Sequence, residues 1–279
     1  NGLCRLNLAG IEQDGIDVRT INRFFVLLAA AITDGEEQFK QNLLIFRQMI
    51  ASNEVDFSEQ QLEALLVNYD MATCPPFSHS QQYREEYQPA YRIVQDIYRQ
   101  FYAVFCRIDS MSRIADGEQK KLRLAIDGPC ASGKSTLGNL LQRVYDCALI
   151  HLDHFFLPLE MRTKERFAEP GGNIHYDRFA REVVPGLIAG TAFTYQAFDC
   201  STMQLGAYIE VPQKDLTVVE GVYCLHPAIE ACYDIKIFLD ISRKEKLRRL
   251  KLRSPKLLER FVTEWIPLED NYFRELGIR

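Results

Sequence analysis

Up to about residue 118, apolar side chains recur every three to four positions, the period of a helix with one buried face. Phe39, Leu43, Phe46 and Ile50 form one such stripe. Ser58, with Gln61 three residues on, makes a capping box ahead of Leu62, Leu65 and Leu66. Cys74-Pro75-Pro76 interrupts any helix. Beyond it Tyr83, Tyr87, Tyr91, Val94, Tyr98, Phe101 and Phe105 recur at helical spacing as far as Ile108, with an irregularity at Pro89, so the spacing predicts one long aromatic helix. Residues 110–121 are polar and contain Gly117, which places a linker there. The texture then changes. Short apolar runs at 122–126, 148–152, 216–219 and 235–239 alternate with helical stretches at 134–144, 177–189 and 242–261, the βα alternation of a parallel sheet covered on both faces. The expectation is a smaller all-α domain over 1–118 followed by an α/β domain over 119–279, with no internal repeat.

Composition narrows the function classes. The chain of 279 residues is 47% hydrophobic, 25% charged and 11% aromatic, which are globular values and exclude disorder as the main story. Thirty-three basic against 38 acidic residues give a net charge of −5, which offers no global attraction to nucleic-acid phosphates. The most apolar stretch, 24–32, is far shorter than the roughly 20 residues of a membrane span, so no membrane role and a soluble, cytoplasmic protein are expected. Eight scattered cysteines without Cys-x-x-Cys read as reduced thiols rather than as a disulfide framework or a zinc site. The chain opens at Asn1 without a signal or transit peptide, and an upstream segment is expected to have been trimmed.

Gly128-Pro129-Cys130-Ala131-Ser132-Gly133-Lys134-Ser135 fits Gly-x-x-x-x-Gly-Lys-Ser/Thr without a mismatch, after the apolar run 122–126 and before a helix-forming stretch that opens with Thr136. The chemistry explains the composition. Glycines let the backbone curl, successive N–H groups and a helix N-terminus face an anion, Lys134 adds positive charge, and Ser135 is a magnesium ligand. The run 149–152 ends in Asp153, and 216–219 ends in Glu220-Gly221, so both carboxylates are expected beside Lys134 at the carboxyl edge of the sheet. Asp153 is a candidate base for a substrate hydroxyl or a turn cap. Glu220 is a candidate magnesium carboxylate or a strand-end charge in solvent. The basic run from Arg243 to Arg253 contains Arg249 and Arg253 on one helix face, where they either neutralise a transferring phosphoryl group or belong to a solvated surface.

These residues resemble the uridine kinase and phosphoribulokinase family of P-loop kinases. The likeness runs through most of 122–276: the phosphate loop, Asp153-His154-Phe155-Phe156 for the family's Asp-x-Phe-Tyr, Val219-Glu220-Gly221-Val222 for its Phe-Glu-Gly-Ile, Ile237-Phe238-Leu239-Asp240 for its Leu-Phe-Val-Asp, and an arginine-rich lid. The resemblance implies a five-stranded parallel sheet, ATP and Mg2+ as cofactors, and a small-molecule acceptor, most of all a nucleoside such as uridine or cytidine. It makes Asp153 the catalytic base, gathers Ser135, Asp153 and Glu220 around magnesium, and makes Arg249 and Arg253 lid residues. Since the family carries one more strand, a piece beyond Arg279 is expected.

The departures fall on the acceptor. Asn173-Ile174-His175-Tyr176-Asp177 stands where the family has Asn-Phe-Asp-His-Pro-Asp, so His175 replaces the acidic residue on the ribose; Asp177 is an acceptor contact or a helix cap. Tyr195 and Phe198, where the family recognises the base, either stack on a ring or belong to the core. The segment 125–129 looks more like cytidylate kinase, which makes a nucleoside monophosphate kinase the runner-up. A nucleotide-dependent switch is the reading from another class. Pro75-Pro76-Phe77-Ser78-His79-Ser80, Tyr83-Arg84 and Tyr91-Arg92 either bind an anion or pack within the helical domain, whose tyrosine-rich face is expected to meet the second domain or a second copy in a homo-oligomer.

Overall fold

The computed structural model describes residues 2–31, 35–70 and 78–278, so the Cys74-Pro75-Pro76-Phe77 break lies outside the described residues. The chain divides into two compact units, Asn1–Ile11 with Ile21–Gln100 and Glu12–Thr20 with Phe101–Arg279.

The first unit is not all-α. β1 (Leu3–Asn7) and β2 (Tyr91–Gln95) pair antiparallel, from Leu3 opposite Gln95 to Asn7 opposite Tyr91. The single helix expected through residue 108 is broken into a helix Gln81–Tyr87, then β2, then a helix Asp96–Gln100, with Tyr102–Glu118 following in the second unit. Local chemistry makes the break. Gln88 ends the first piece in the left-handed region at φ 41°, and Pro89 disfavours the α conformation of the residue before it. Tyr91, Ile93 and Val94 suit a strand, and the β1 partner that decides the matter is remote in sequence. Val94 is fully buried, and the Tyr98 ring stacks on Phe24 at 4.2 Å. The helix Gly35–Ala51 carries the expected stripe, and Ser58 and Gln61 form both capping-box bonds of the helix Glu59–Leu66, where Leu62 is buried and Leu65 exposed.

In the second unit the helix Tyr102–Glu118 runs through the expected linker, and the chain turns only at Gln119, φ 53°. Its polarity misleads because a polar side chain anchors it. Buried Asp109 accepts hydrogen bonds from the Asp17 N–H (2.7 Å), Thr20 Oγ1 (3.0 Å) and the Tyr145 hydroxyl (2.8 Å). Along the chain follow β3 (Leu122–Asp127), β4 (Ala148–His151), β5 (Phe193–Asp199), β6 (Gln204–Val211), β7 (Leu216–Glu220) and β8 (Ile235–Phe238). Four of them form a parallel sheet in the order β4-β7-β3-β8, flanked by helices, while β5 and β6 make a separate antiparallel hairpin. The architecture is therefore α/β with four parallel strands among the described residues, not five. The four are the four apolar runs; the fifth, implied by resemblance alone, has no such run behind it, and the chain after β8 is helical from Arg243–Arg253 to Ile266–Glu275.

Leu124, Ala125, Ile126, Ile150, Val218 and Val219 are fully buried in the sheet, and Leu137 and Leu141 of the helix Lys134–Tyr145 are fully buried as well. Because the strands are parallel, their carboxyl ends share one edge. Glu220 pairs in register with Ile126 on one side and His151 on the other, which brings the ends of β3, β4 and β7 together.

Candidate active site

The loop after β3 is shaped by backbone angles that its sequence permits. Gly128 has φ 141°, and a Cβ there would lie 2.2 Å from the Leu239 carbonyl oxygen; Ala131 and Gly133 also have positive φ, and the helix Lys134–Tyr145 starts directly after. Asp127 anchors the entry. Its buried carboxylate accepts from the N–H groups of Gly128 (2.6 Å), Tyr223 (3.1 Å) and Leu225 (2.9 Å) and from the Tyr272 hydroxyl (2.8 Å). Inside the loop the Cys130 N–H donates to buried Glu269 at 2.9 Å, and Lys134 Nζ donates to the carbonyls of Gly128 (2.7 Å) and Pro129 (3.0 Å). Burial holds the carboxyls of both Asp127 and Glu269 above the usual carboxylate range. Burial and Glu269 push the Cys130 thiol up to about 12, which leaves it inert; the seven described cysteines form no disulfide.

Glu220 stands at the end of β7, 5% exposed, accepting from Ser135 Oγ at 3.1 Å and sitting 2.6 Å from His151 Nδ1. That bond to Glu220 pushes the His151 pKa up. Asp153 lies in the short helical turn Leu152–Phe155 just past β4. The residue is exposed, yet the crowding of protein atoms about it raises its pKa; the nearby Glu220 charge adds to this, and Lys134, His151 and Arg253 oppose it.

Lys134, Ser135, Thr136, Asp153, Glu220, Arg249 and Arg253 all line one cavity of about 1110 Å³, as do Cys130, Ala131 and Gly133 of the loop. Arg249 links the basic helix to the loop, its Nε on Glu245 (2.8 Å) and its Nη1 on the Ala131 carbonyl (3.1 Å). Gly128, Pro129 and Ser132 shape the loop without lining the cavity.

The residues expected to hold the acceptor lie elsewhere. His175 caps the helix Tyr176–Glu182, its Nδ1 accepting the Arg178 N–H at 3.4 Å; Tyr176 is buried against His226, with ring centroids 4.1 Å apart; Asp177 is exposed in the first turn. Tyr195 is buried with its hydroxyl 2.8 Å from His154 Nδ1, and Phe198 is buried beneath the Arg162 guanidinium, 5.8 Å from the ring centroid. None of the five lines the cavity, whose wall on the Asp153 side is made by Phe156, Leu159, Arg162, Phe167 and Asn173 together with Cys200 and Met203 of the β5–β6 connection. Tyr195 and Phe198 face inward because strand alternation puts both on the buried side around a bulge between Gln196 and Phe198.

Sequence reasoning missed His151, Asp127, Glu269 and Tyr272. His151 and Asp127 had a usable signal, a polar residue closing an apolar strand beside a motif residue. Glu269 and Tyr272 had none, since they reach the loop from 139 and 145 residues away.

The geometry fits a nucleotide phosphate, with a backbone cradle that a Cβ at Gly128 would collide with, a helix N-terminus and a lysine. Ser135, Asp153 and Glu220 offer hard oxygen donors of the kind that hold magnesium together with phosphates and waters. No group of three His, Cys, Asp or Glu side chains among the described residues is placed to hold a metal by itself. No described helix is long and apolar enough to cross a membrane.

No family model matches the chain. The chain is similar to two solved kinase structures. One, described as a possible uridine kinase from Bacillus stearothermophilus, is 20% identical with a TM-score of 0.44, over 60% of this chain and 90% of that one. The other, described as a candidate fructose transport system kinase from a Silicibacter species, is 19% identical with a TM-score of 0.41, over 58% of this chain and 87% of that one.

Proposed function

We propose that the protein is an ATP-dependent kinase that transfers the γ-phosphoryl group to a hydroxyl of a small metabolite. The observation that carries this reading is the shared cavity of Lys134, Ser135, Asp153 and Glu220, in which a phosphate cradle opens directly onto a carboxylate of raised pKa. A binding module needs the cradle but not that carboxylate. In this reading the loop N–H groups and Lys134 hold the phosphates, and Arg249 and Arg253 neutralise charge on the transferring group. Asp153 orients the acceptor hydroxyl and accepts its proton, a task suited to a carboxylate whose pKa is raised above its ordinary value. Magnesium, held by Ser135 and Glu220 with Asp153 nearby, would supply charge neutralisation at the phosphates. A nucleoside with a free 5′-hydroxyl is the acceptor class carried over from the family resemblance, and the aromatic wall of Phe156, Phe167 and Tyr223 is compatible with a planar ring.

Asp153→Asn tests the core of the proposal. ATP affinity should stay within about threefold of the parent while acceptor-dependent ADP release falls by ~10²–10⁴-fold. An unchanged rate removes Asp153 from the chemistry. ADP release that no hydroxyl compound stimulates favours a nucleotide-dependent switch instead.

A further inference from the structure

The turn that carries Asp153 is held from outside the cavity. Among the described residues no donor hydrogen-bonds the Asp153 carboxylate, so its direction is set by the main chain of the turn Leu152–Phe155. Three contacts fasten that turn. The His154 carbonyl accepts from Arg178 Nη2, the His154 Nδ1 lies 2.8 Å from the Tyr195 hydroxyl, and the Phe155 carbonyl accepts from the His175 N–H at 2.7 Å. None of Arg178, Tyr195 and His175 lines the cavity. The rings of Phe179 and Tyr195 close the apolar side, their centroids 5.1 and 5.2 Å from that of Phe155.

Arg178 is an unusual residue to find in that place. It is 4% exposed, its guanidinium carbon lies 4.3 Å from the Phe155 ring centroid, and its Nε makes no hydrogen bond but has the Glu182 carboxylate 3.6 Å away. Burying an ion pair rarely stabilises a fold more than apolar side chains of the same volume would, whereas a planar guanidinium fork fixes the groups around it. Resting on the kinase reading, we propose that Arg178 and Tyr195 are positioning residues, which hold the Asp153 turn in the orientation needed for proton transfer without touching a substrate. His175, which caps the helix bearing Arg178, belongs to the same support. The stretch of chain that resembles an acceptor site thus serves the base from behind. Displacing a reacting group by about 1 Å costs on the order of 10²-fold in rate, which is the scale of effect a loosened turn would have.

Three variants separate the contacts. Arg178→Met keeps an unbranched side chain over Phe155 and removes the fork, Arg178→Lys keeps a cation and a donor, and Tyr195→Phe removes only the hydroxyl. ADP release from magnesium ATP is followed with water as the sole acceptor and again with uridine added. Arg178→Met should lower kcat by ~10- to 100-fold with the KM for ATP unchanged, Arg178→Lys should recover part of the loss, and Tyr195→Phe should cost at most ~10-fold. In an Asp153→Asn background neither substitution should slow turnover further, because each acts through that carboxylate; a merely structural role would bring the same loss to both backgrounds. Should Arg178→Met fail to fold, Arg178→Lys and Tyr195→Phe carry the same cycle. Hydrogen exchange gives a readout that needs no turnover: the amides of 152–156 should exchange faster in each variant that loses a contact, while those of 122–136 keep the parent's rates. A parent-like kcat in Arg178→Met, losses that multiply with that of Asp153→Asn, or exchange that is unchanged or rises throughout the second unit overturns the proposal. A parent protein that releases no ADP with either acceptor defeats the kinase reading instead, and exchange at 152–156 then decides whether Arg178 and Tyr195 hold the turn.

Discussion

Tyr272→Phe removes one oxygen atom, and the structure sets how much that atom is worth. The Tyr272 hydroxyl, fully buried, donates to Asp127 Oδ2 at 2.8 Å, and Asp127 is itself fully buried at the entry to the phosphate loop. A hydrogen bond to a charged acceptor contributes ~1.5–3 kcal/mol net. Three backbone N–H groups still serve Asp127 in the variant, so the lower end applies. At ~2–4 °C per kcal/mol for a unit of this size, the second unit should lose roughly 3–6 °C of thermal stability. Tyr176→Phe is the matched control. Its hydroxyl is equally hidden but has no partner, so deleting it should be neutral or slightly stabilising. The difference between the two variants in urea and thermal unfolding isolates the bond, because both delete the same buried atom type. Burial raises the Asp127 pKa, so its contribution is fully present below its unfolded value of about 3.9 and declines as pH rises through the folded value. Losing the Tyr272 donor raises the folded value further, and the gap between variant and parent should widen with increasing pH. Equal stabilities for the two variants, or a gap that closes as pH rises, would refute the assignment of Tyr272 as a clamp on the loop.

Three further outcomes are expected. Gly128→Ala combines φ 141° with a 2.2 Å approach to the Leu239 carbonyl, whereas Gly133→Ala meets only the backbone strain of φ 108°; nucleotide titration should show the first losing ATP affinity by at least ~10-fold more than the second. Burial pushes the Asp234 pKa up, but its bonds from Arg123 and Lys120 outweigh this and hold it at about 2. Its stabilising contribution is therefore present above its unfolded value of about 3.9 and lost as pH falls toward 2, a limb of the acid-unfolding curve that should flatten in Asp234→Asn. His151→Ala should weaken nucleotide binding in the presence of magnesium more than in its absence, because the ring fixes Glu220 beside Ser135; equal weakening would mean that it acts only on the fold.

The sequence by itself determined the second unit's sheet and its phosphate loop, because both are written in local patterns. Each parallel strand is a short, mostly apolar run, and the loop's glycines, Lys134 and Ser135 are dictated by backbone angles and charge within eight consecutive positions. Parallel order then carries Asp153 and Glu220 to the same edge without further information. What only the tertiary structure decided lies where a residue's partner is remote. Tyr91 and Val94 satisfy helical spacing as well as strand pairing, and β1 alone resolves them; the helix past Ser110 reads as linker until Asp109 is seen holding Asp17, Thr20 and Tyr145. The acceptor wall is the same case. Tyr195 and Phe198 are ring-stacking or core residues in one dimension, and the strand, bulged between Gln196 and Phe198, buries both, while Arg162 of a separate segment lines the cavity. Local conformation follows from nearby chemistry, whereas the choice of which side chain faces a cavity follows from packing between segments that the sequence keeps far apart.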